Sequence, residues 1–281
     1  MSIRRIGLVI SEVVLELFIR KDILGVIILI LLVNLLAYFT LSLDLVDGAI
    51  AGFEIFGRST GKTVQTVQKA SKEIIYGMSV FVFYVGLLFG TFSMADIIVK
   101  MTAPERLVLL LTQPLKRIEV LLGILFAGFS LYTSAILLAV GGFSLIFWLK
   151  TGFNPGVVMF SGVWSAIAFF PIICAMLFLS MMTRSVMLVY AGGFGLFSLM
   201  SFASSWQHWV GRDGLNSPLK RAIDFLISPI PRVQTLPKLS GVFVFNRNIP
   251  WETTLSSIST CFLFGAAVFV LAHLVFSQRD C

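Results

Sequence analysis

Residues 100–123 read KMTAPERLVLLLTQPLKRIEVLLG and lie between two long apolar segments of the chain. Pro104 suits the first turn of a helix, and the residue before Pro114 is disfavoured in helical conformation. The stretch therefore predicts a short helix between the two prolines, inside a loop at about 102–116. At 1.5 Å per residue such a helix is about 13 Å long, too short to cross a bilayer. We expect it to lie at the membrane surface or against another protein.

The short helix has one apolar face. Leu107, Leu110 and Leu111 recur at helical spacing, and Glu105 and Arg106 lie elsewhere on its surface. This pattern predicts that the leucines pack towards the membrane or a partner, while the charged pair makes polar contacts.

Composition places the whole chain in a membrane. Of its 281 residues, 58% are hydrophobic and only 12% are charged, whereas soluble domains carry about 25% charged residues. We expect an all-α integral membrane protein. Apolar runs of about 20 residues predict six transmembrane helices, at 23–43, 74–99, 118–149, 157–182, 185–205 and 255–276. Pro171 is expected to break the fourth of these near its middle.

The first 22 residues form a separate unit in this interpretation. Glu12, Glu16 and Arg20 recur every four residues, which is not the pattern of a signal peptide. Together with Arg5 they form a polar stripe opposite an apolar face that includes Val9 and Val13. The pattern predicts an amphipathic helix in the membrane interface, and the alternative is an extension of the first span. Residues 23–281 then form the transmembrane domain.

Charge near the spans sets the expected orientation. The net charge is +7, which in a membrane protein points to inner loops and anionic lipid and not to nucleic acid. Lysine and arginine are divided almost evenly between the two sides. The charges in short segments next to the spans favour an inner N-terminus, and six spans then place both termini in the cytoplasm.

Two outer regions follow from this topology. The loop at 44–73 contains the sequence GRSTGKT at 57–63, with three residues between its glycines where a phosphate loop has four. We interpret it as a flexible loop that becomes helix-compatible from Thr63. The region at 206–254 is rich in Gly and Pro and predicts a cap of short helices before the last span. One short amphipathic pattern in it lies at 219–227. A plain surface loop is the alternative.

Ionisable chemistry is sparse within the spans. Asp96 and Lys100 are four residues apart and are expected to pair. The three cysteines show no spacing typical of a metal site or a disulfide, and no His/Asp/Glu or Ser/His grouping converges. We therefore predict no catalytic, cofactor or metal site. Aromatic residues of two spans suit a translocation path for an amphiphilic cargo, and equally suit contact with lipid. These residues are Phe81, Tyr84, Tyr190, Phe194 and Phe197.

The stretch from Glu105 to Gly123 resembles the permease subunits of ABC-2-type ATP-binding-cassette transporters. Members of that family carry an acidic-basic start, a leucine run, a Gln-Pro or Ser-Pro step and then a span that opens towards glycine. The six spans, the N-terminal helix and the outer region before the last span agree in plan. The chain departs from the family at Leu107-Val108, where a Gly-Thr pair is common.

The resemblance implies an exporter subunit in a bacterial-type inner (plasma) membrane that is not itself an enzyme. ATP and Mg would be bound by a separate ABC ATPase in two copies. The other implied partners are a second copy of the chain, membrane lipid and accessory proteins on the outer face. The residues expected to couple to the ATPase are Pro104, Glu105, Arg106, Leu107, Leu110, Leu111, Gln113, Pro114 and Arg117. Those expected to add a docking surface on the N-terminal helix are Arg4, Arg5, Glu12 and Glu16.

Two other function classes stay open at this point. An ATP-independent secondary transporter is expected to carry charged groups near the membrane midplane, which this sequence lacks. A membrane scaffold or assembly protein is expected to tolerate changes in the short helix.

Overall fold

A computed structural model describes residues 7, 9–11, 13, 15, 22–46, 49–55, 58–59, 65–111, 116–151, 156–210, 229–233, 235–245 and 248–278. The first helix, α1, is described at residues 7, 9–11, 13 and 15. The helices that follow it are α2 (Asp22–Thr40), α3 (Val67–Met101), α4 (Pro104–Leu111), α5 (Arg117–Thr151), α6 (Val157–Thr183), α7 (Val186–Val210), α8 (Thr235–Val244) and α9 (Trp251–Ser277).

The membrane part of the chain is helical, as predicted. Within the described ranges, five helices are long and apolar enough to cross a bilayer: Ile75–Met101, Arg117–Lys150, Val157–Thr183, Val186–Trp206 and Trp251–Ser277. They correspond to five of the six predicted spans, and the fold class of an all-α membrane protein is confirmed. The remaining predicted span, at 23–43, overlaps α2, a helix of 19 residues that ends at Thr40 because β1 begins at Leu41. That this helix crosses the membrane stays a prediction.

A small antiparallel sheet follows α2. Its strands are β1 (Leu41–Val46), β2 (Ala49–Ile55), β3 (Arg58–Ser59) and β4 (Gln65–Thr66). The strand β2 pairs with each of the other three, and Leu41 lies opposite Ile55. The expectation of a flexible loop is wrong at the described residues before Val67, because strands occupy them. The expected helical character of the end of this segment is confirmed from Val67, where α3 begins. The alternation of leucine at 41, 43 and 45 is the period-2 signal of a strand. Gly57 and residues 60–63 lie outside the described residues.

The helix α6 is the centre of the bundle. It is the most buried of the five spans and packs against α3, α5, α7, α8 and α9. Its neighbours approach closely because several of them present glycine to it. A Cβ atom at Gly193 of α7 would lie 3.0 Å from Met176 Cγ of α6, and one at Gly265 of α9 would lie 2.5 Å from the Phe170 ring. In a bilayer, apolar side chains gain little by leaving lipid for protein. Close van der Waals contacts of this kind therefore hold the helices together.

The expected break at Pro171 is wrong. The helix α6 runs continuously through this residue, which is buried. Gly265 of α9 lies next to it, with its would-be Cβ 3.5 Å from Pro171 Cα. Proline is tolerated in membrane helices where neighbouring helices pack around the freed backbone groups, and the glycine allows α9 to do so here.

The predicted outer cap is described in part. The short helix α8 falls inside the predicted region, and its residues Leu236, Leu239 and Val244 are buried against the bundle. The aromatic ring of Tyr76 on α3 lies next to Gly241 of α8 and 6.0 Å from the ring of Phe245. The short amphipathic pattern at 219–227 lies outside the described residues.

The contact between α7 and the α3–α6 pair can be tested at two glycines of the same helix. Gly193→Val places methyl groups against Thr91 and Met176, so we expect the free energy of unfolding to fall by about 1–3 kcal/mol. Gly195→Val is the matched control, because a side chain there meets nothing within 4 Å. Thermal unfolding of the purified chain in detergent measures both, and equal melting temperatures would contradict the close contact.

Candidate functional site

The short helix α4 begins at a buried hydrogen bond between two hydroxyl groups. Thr102 precedes the helix, and its Oγ1 lies 2.8 Å from Oγ of Ser180 near the end of α6. Both side chains are buried. Thr102 Oγ1 also donates to the carbonyl of Ile98 at 2.9 Å. The link between α3 and α4 is therefore attached directly to the central helix.

One side of α4 is closed against the bundle. Leu107 is only 2% exposed, whereas Pro104 and Glu105 are exposed and Arg106 is half-buried. Burial lowers the pKa of the Arg106 guanidinium from its ordinary value, and the group stays charged at neutral pH. Leu110 and Leu111 belong to the helix, and Gln113 and Pro114 lie outside the described residues. Of the predicted coupling residues, Pro104 and Glu105 are thus exposed. The expectation that Leu107 packs towards the membrane or a partner is wrong, because it is buried in the core of the chain's own bundle.

The helix α5 begins directly beyond this loop with a side chain-to-backbone cap. The backbone N–H of Lys116 donates to Oε2 of Glu119 at 3.1 Å, which is half of a capping box. The Glu119 side chain is buried. This cap sets the direction in which the chain enters α5.

Arg117, a predicted coupling residue, reaches the end of α9. Its Nη1 donates to the carbonyls of Phe276 at 3.2 Å and Ser277 at 2.9 Å. The guanidinium carbon also lies 5.8 Å from the centroid of the Phe276 ring. A cation at the C-terminus of a helix satisfies free carbonyls and complements the helix dipole. Arg117 therefore connects the start of α5 to the end of the last span.

The N-terminal helix packs beside the same region. Val9 and Val13 of α1 are buried, and Gly7, Ser11 and Leu15 are exposed. A Cβ atom at Gly123 of α5 would lie 2.4 Å from Val9 Cγ1, so the glycine admits the valine. The predicted apolar face thus contacts protein at these two valines. Arg4, Arg5, Glu12 and Glu16 lie outside the described residues.

Four of the five predicted path residues come together in one row of rings along α3 and α7. Tyr84 contacts Phe197, Phe197 contacts Phe194, and Phe194 contacts Tyr190, with ring centroids 6.2 to 6.4 Å apart. Phe92 extends the row at 5.2 Å from Tyr190. Phe81 is 66% exposed and makes no ring contact among the described residues.

Polar chemistry of other kinds is limited in the described part of the chain. The predicted pair of Asp96 and Lys100 is confirmed, with Nζ 2.5 Å from Oδ2. Among the described residues no group of three His, Cys, Asp or Glu side chains is placed to hold a metal ion. No protein-family model, curated protein or solved structure matches this chain.

Sequence reasoning missed the hydroxyl pair and the target of Arg117. Thr102 and Ser180 are 78 residues apart, and no local pattern relates them. The cap at the start of α5 was also missed, but the sequence carried a weak signal for it. A glutamate in the first turn of a helix, as at Glu119, is typical of a capping box.

A double-mutant cycle measures the hydroxyl pair. Thr102→Val and Ser180→Ala each remove a buried hydrogen bond, and we expect each to lower the free energy of unfolding by about 1–2 kcal/mol. The double variant should lose less than the sum, because both changes remove the same interaction. Thr183→Val takes the place of Ser180→Ala in a control cycle. The Thr183 hydroxyl donates to the Leu179 carbonyl within its own exposed turn, so we expect the effects of Thr183→Val and Thr102→Val to add. Additivity in both cycles would contradict the pair.

The Arg117 contact can be tested by hydrogen exchange at the end of α9. Arg117→Gln removes the charged donor, and we expect backbone amides of the last turn to exchange about fivefold faster, allowing for partial exposure. Arg184→Gln is the control, because this arginine is exposed and its side chain makes no hydrogen bond within the described part of the chain. Unchanged exchange in the Arg117 variant, or equal acceleration in both, would show that Arg117 does not hold the helix end.

Proposed function

We propose that this chain is the transmembrane permease subunit of an ABC-2-type ATP-binding-cassette transporter and that it acts as an exporter. The observation that carries the proposal is that one face of α4 is buried and another is exposed. This helix of eight residues lies between two spans, seals Leu107 against the bundle and presents Pro104 and Glu105 outward. A helix with this exposure suits docking in the groove of a separate ATPase, and all of it except Pro104 lies within the stretch from Glu105 to Gly123 in which the chain resembles the family.

The contacts around α4 suggest how movement passes into the membrane. Closure of two ATPase subunits on ATP would draw the two docked α4 helices of a permease pair together. The Thr102–Ser180 hydrogen bond would carry this displacement to α6. Arg117 would carry it to α9, which also packs on α6. Both routes use side chains already bonded across helices, so displacement of α4 strains the bundle directly.

The aromatic row on α3 and α7 is our candidate for a wall of the translocation path. Phe92 and Phe194 are exposed, and the tyrosines of the row add hydroxyl groups to an otherwise apolar surface. Such a surface suits an amphiphilic cargo, with ring faces for its apolar part. The assembly we propose has two permease chains and two ATPase chains, with ATP and Mg bound by the ATPase.

The proposal predicts that an ABC ATPase co-purifies with the chain through α4. The tagged chain would be extracted from its native membranes in mild detergent, and co-purifying proteins identified by mass spectrometry. Glu105→Arg reverses an exposed charge on the docking face, and we expect it to lower ATPase recovery about tenfold.

Glu252→Arg is the matched control for that experiment. Both glutamates are exposed, and each is the second residue of its helix. Glu105 follows Pro104 in α4, and Glu252 follows Trp251 in α9. Glu252 starts the last span, at the opposite end from the carbonyls bound by Arg117. Recovery lost only in the Glu105 variant supports the proposal. Absence of an ABC ATPase from the wild-type preparation, or equal recovery with both variants, would contradict it and favour the ATP-independent transporter or the scaffold.

A further inference from the structure

The hydroxyl group of Tyr84 differs from the other hydroxyl groups of α3 around it. Ser79 donates to the Ile75 carbonyl at 2.8 Å, and Thr91 donates to the Leu87 carbonyl at 2.7 Å. Tyr84 lies between these two residues and is half-buried. Its hydroxyl makes no hydrogen bond to any group in the described part of the chain, and it is not enclosed by protein. It therefore reaches the surface of the aromatic row without a partner.

The length of the side chain explains why this hydroxyl is unpaired. Serine and threonine are short enough to donate to a carbonyl one turn earlier in the same helix. The hydroxyl of a tyrosine lies at the far end of the ring, so its partner must come from another element or from a bound molecule. Tyr132 of α5 finds such a partner in the bundle, because its hydroxyl lies 2.6 Å from Oγ of Ser165 on α6. Among the described residues, none fills this role for Tyr84.

The ring of Tyr84 is held in place on two sides. Its centroid lies 5.3 Å from that of Phe83, which is fully buried, and 6.3 Å from that of Phe197 on α7. Both contacts are edge-to-face, an arrangement that aromatic pairs favour. The hydroxyl therefore has a fixed position beside the Phe197 ring, and a molecule that binds it does not have to order the side chain first.

Tyr84 lies at a depth where the membrane offers no hydrogen-bond partner. The span of α3 is Ile75–Met101, and its middle residue is Leu88. Tyr84 is about 6 Å from Leu88 along the helix at 1.5 Å per residue, whereas the hydrocarbon core extends about 15 Å on either side of its middle. Acyl chains carry no acceptor, so ordinary lipid contact leaves the hydroxyl unsatisfied at a cost in free energy.

We propose that Tyr84 is a specificity-determining residue of the translocation path and that its hydroxyl donates a hydrogen bond to the cargo. The class of cargo that fits is an apolar molecule with an uncharged oxygen acceptor, such as a carbonyl or an ether, within its hydrocarbon body. The rings of Phe197 and Phe194 supply apolar surface beside the hydroxyl, and a charged group would be costly at this depth. The inference rests on the proposed transport function, because the bound molecule is its cargo.

Fluorine NMR tests the hydrogen bond directly. Meta-fluorotyrosine would replace Tyr84 in the full chain in lipid nanodiscs, because the fluorine resonance responds to hydrogen bonding of the neighbouring hydroxyl. The probe is diheptyl ketone, an apolar chain with one carbonyl, and the control probe is pentadecane, the same carbon chain without oxygen. We expect a saturable shift with the ketone and none with the alkane. A shift that does not saturate, or an equal shift with both probes, would overturn the proposal.

Tyr76 provides the matched position for this measurement. It lies on the same helix, and its hydroxyl likewise makes no hydrogen bond within the described ranges. It begins the span beside Ile75, where water is available, and its ring packs at Gly241 outside the aromatic row. We expect no saturable response to the ketone at this position, and an equal response at both tyrosines would contradict a specific site.

The resonance before any probe is added tests the other occupants. We expect meta-fluorotyrosine at Tyr84 to start at the position of a hydroxyl without a hydrogen bond. A resonance already at the hydrogen-bonded position would show that water or a second copy of the chain supplies the acceptor, and a change on dilution of the chain in lipid would identify the second copy. Either result would overturn the proposal.

Photo-crosslinking measures what the hydroxyl contributes to binding. The probes are diheptyl ketone and pentadecane, each with a terminal alkyl diazirine, and the adduct yield on α3 and α7 is compared among chains. Tyr84→Phe keeps the ring and removes the donor, so we expect about fivefold less ketone adduct and an unchanged alkane adduct. Tyr76→Phe is the control and should give the wild-type yields, with equal melting temperatures verifying the fold. Equal ketone yields in all three chains would overturn the role of Tyr84.

These measurements use the chain without an ATPase, so their failure is distinct from failure of the proposed function. A saturable ketone site in a chain that recovers no ABC ATPase would support the binding site and contradict the permease function. Recovery of the ATPase together with no ketone response at Tyr84 would overturn the specificity role alone.

Discussion

Close contact between α6 and the helices around it is the constraint on which the rest of this structure depends. A bilayer provides little hydrophobic force between helices, because lipid solvates an apolar side chain as well as protein does. Cohesion must come from dense packing and from a few buried hydrogen bonds. Glycine at 193 and 265 brings α7 and α9 against α6, and the continuous helix through Pro171 depends on the same close approach.

Charge at the two ends of α5 completes the architecture. Arg117 at the start of α5 binds the last carbonyls of α9, and Lys150 near its other end binds the Tyr38 carbonyl near the end of α2. Each cation occupies the C-terminal end of another helix, where carbonyls lack partners within the helix and the dipole favours positive charge. One long helix thus fixes the ends of two others, and α4 is attached beside the first of these contacts.

This arrangement gives α4 a position from which movement reaches the spans. Its buried face and the Thr102–Ser180 hydrogen bond make it part of the bundle, while Glu105 stays accessible. An interface helix that was loosely attached would move without effect on the membrane domain. The proposed permease function uses this combination of an exposed surface and rigid attachment.

The sequence by itself determined the membrane class, the approximate bounds of five spans, the short helix after Pro104, the pairing of Asp96 with Lys100 and the apolar face at Val9 and Val13. These features follow from apolar run length and from spacing within one helix, which are local properties. Only the tertiary structure decided that Leu107 faces inward, that Arg117 binds α9, that Thr102 meets Ser180 and that the aromatic row excludes Phe81. Each of these depends on which helices are neighbours and how they are rotated. In a bilayer nearly every residue of a span is apolar, so hydrophobic periodicity carries little information about either.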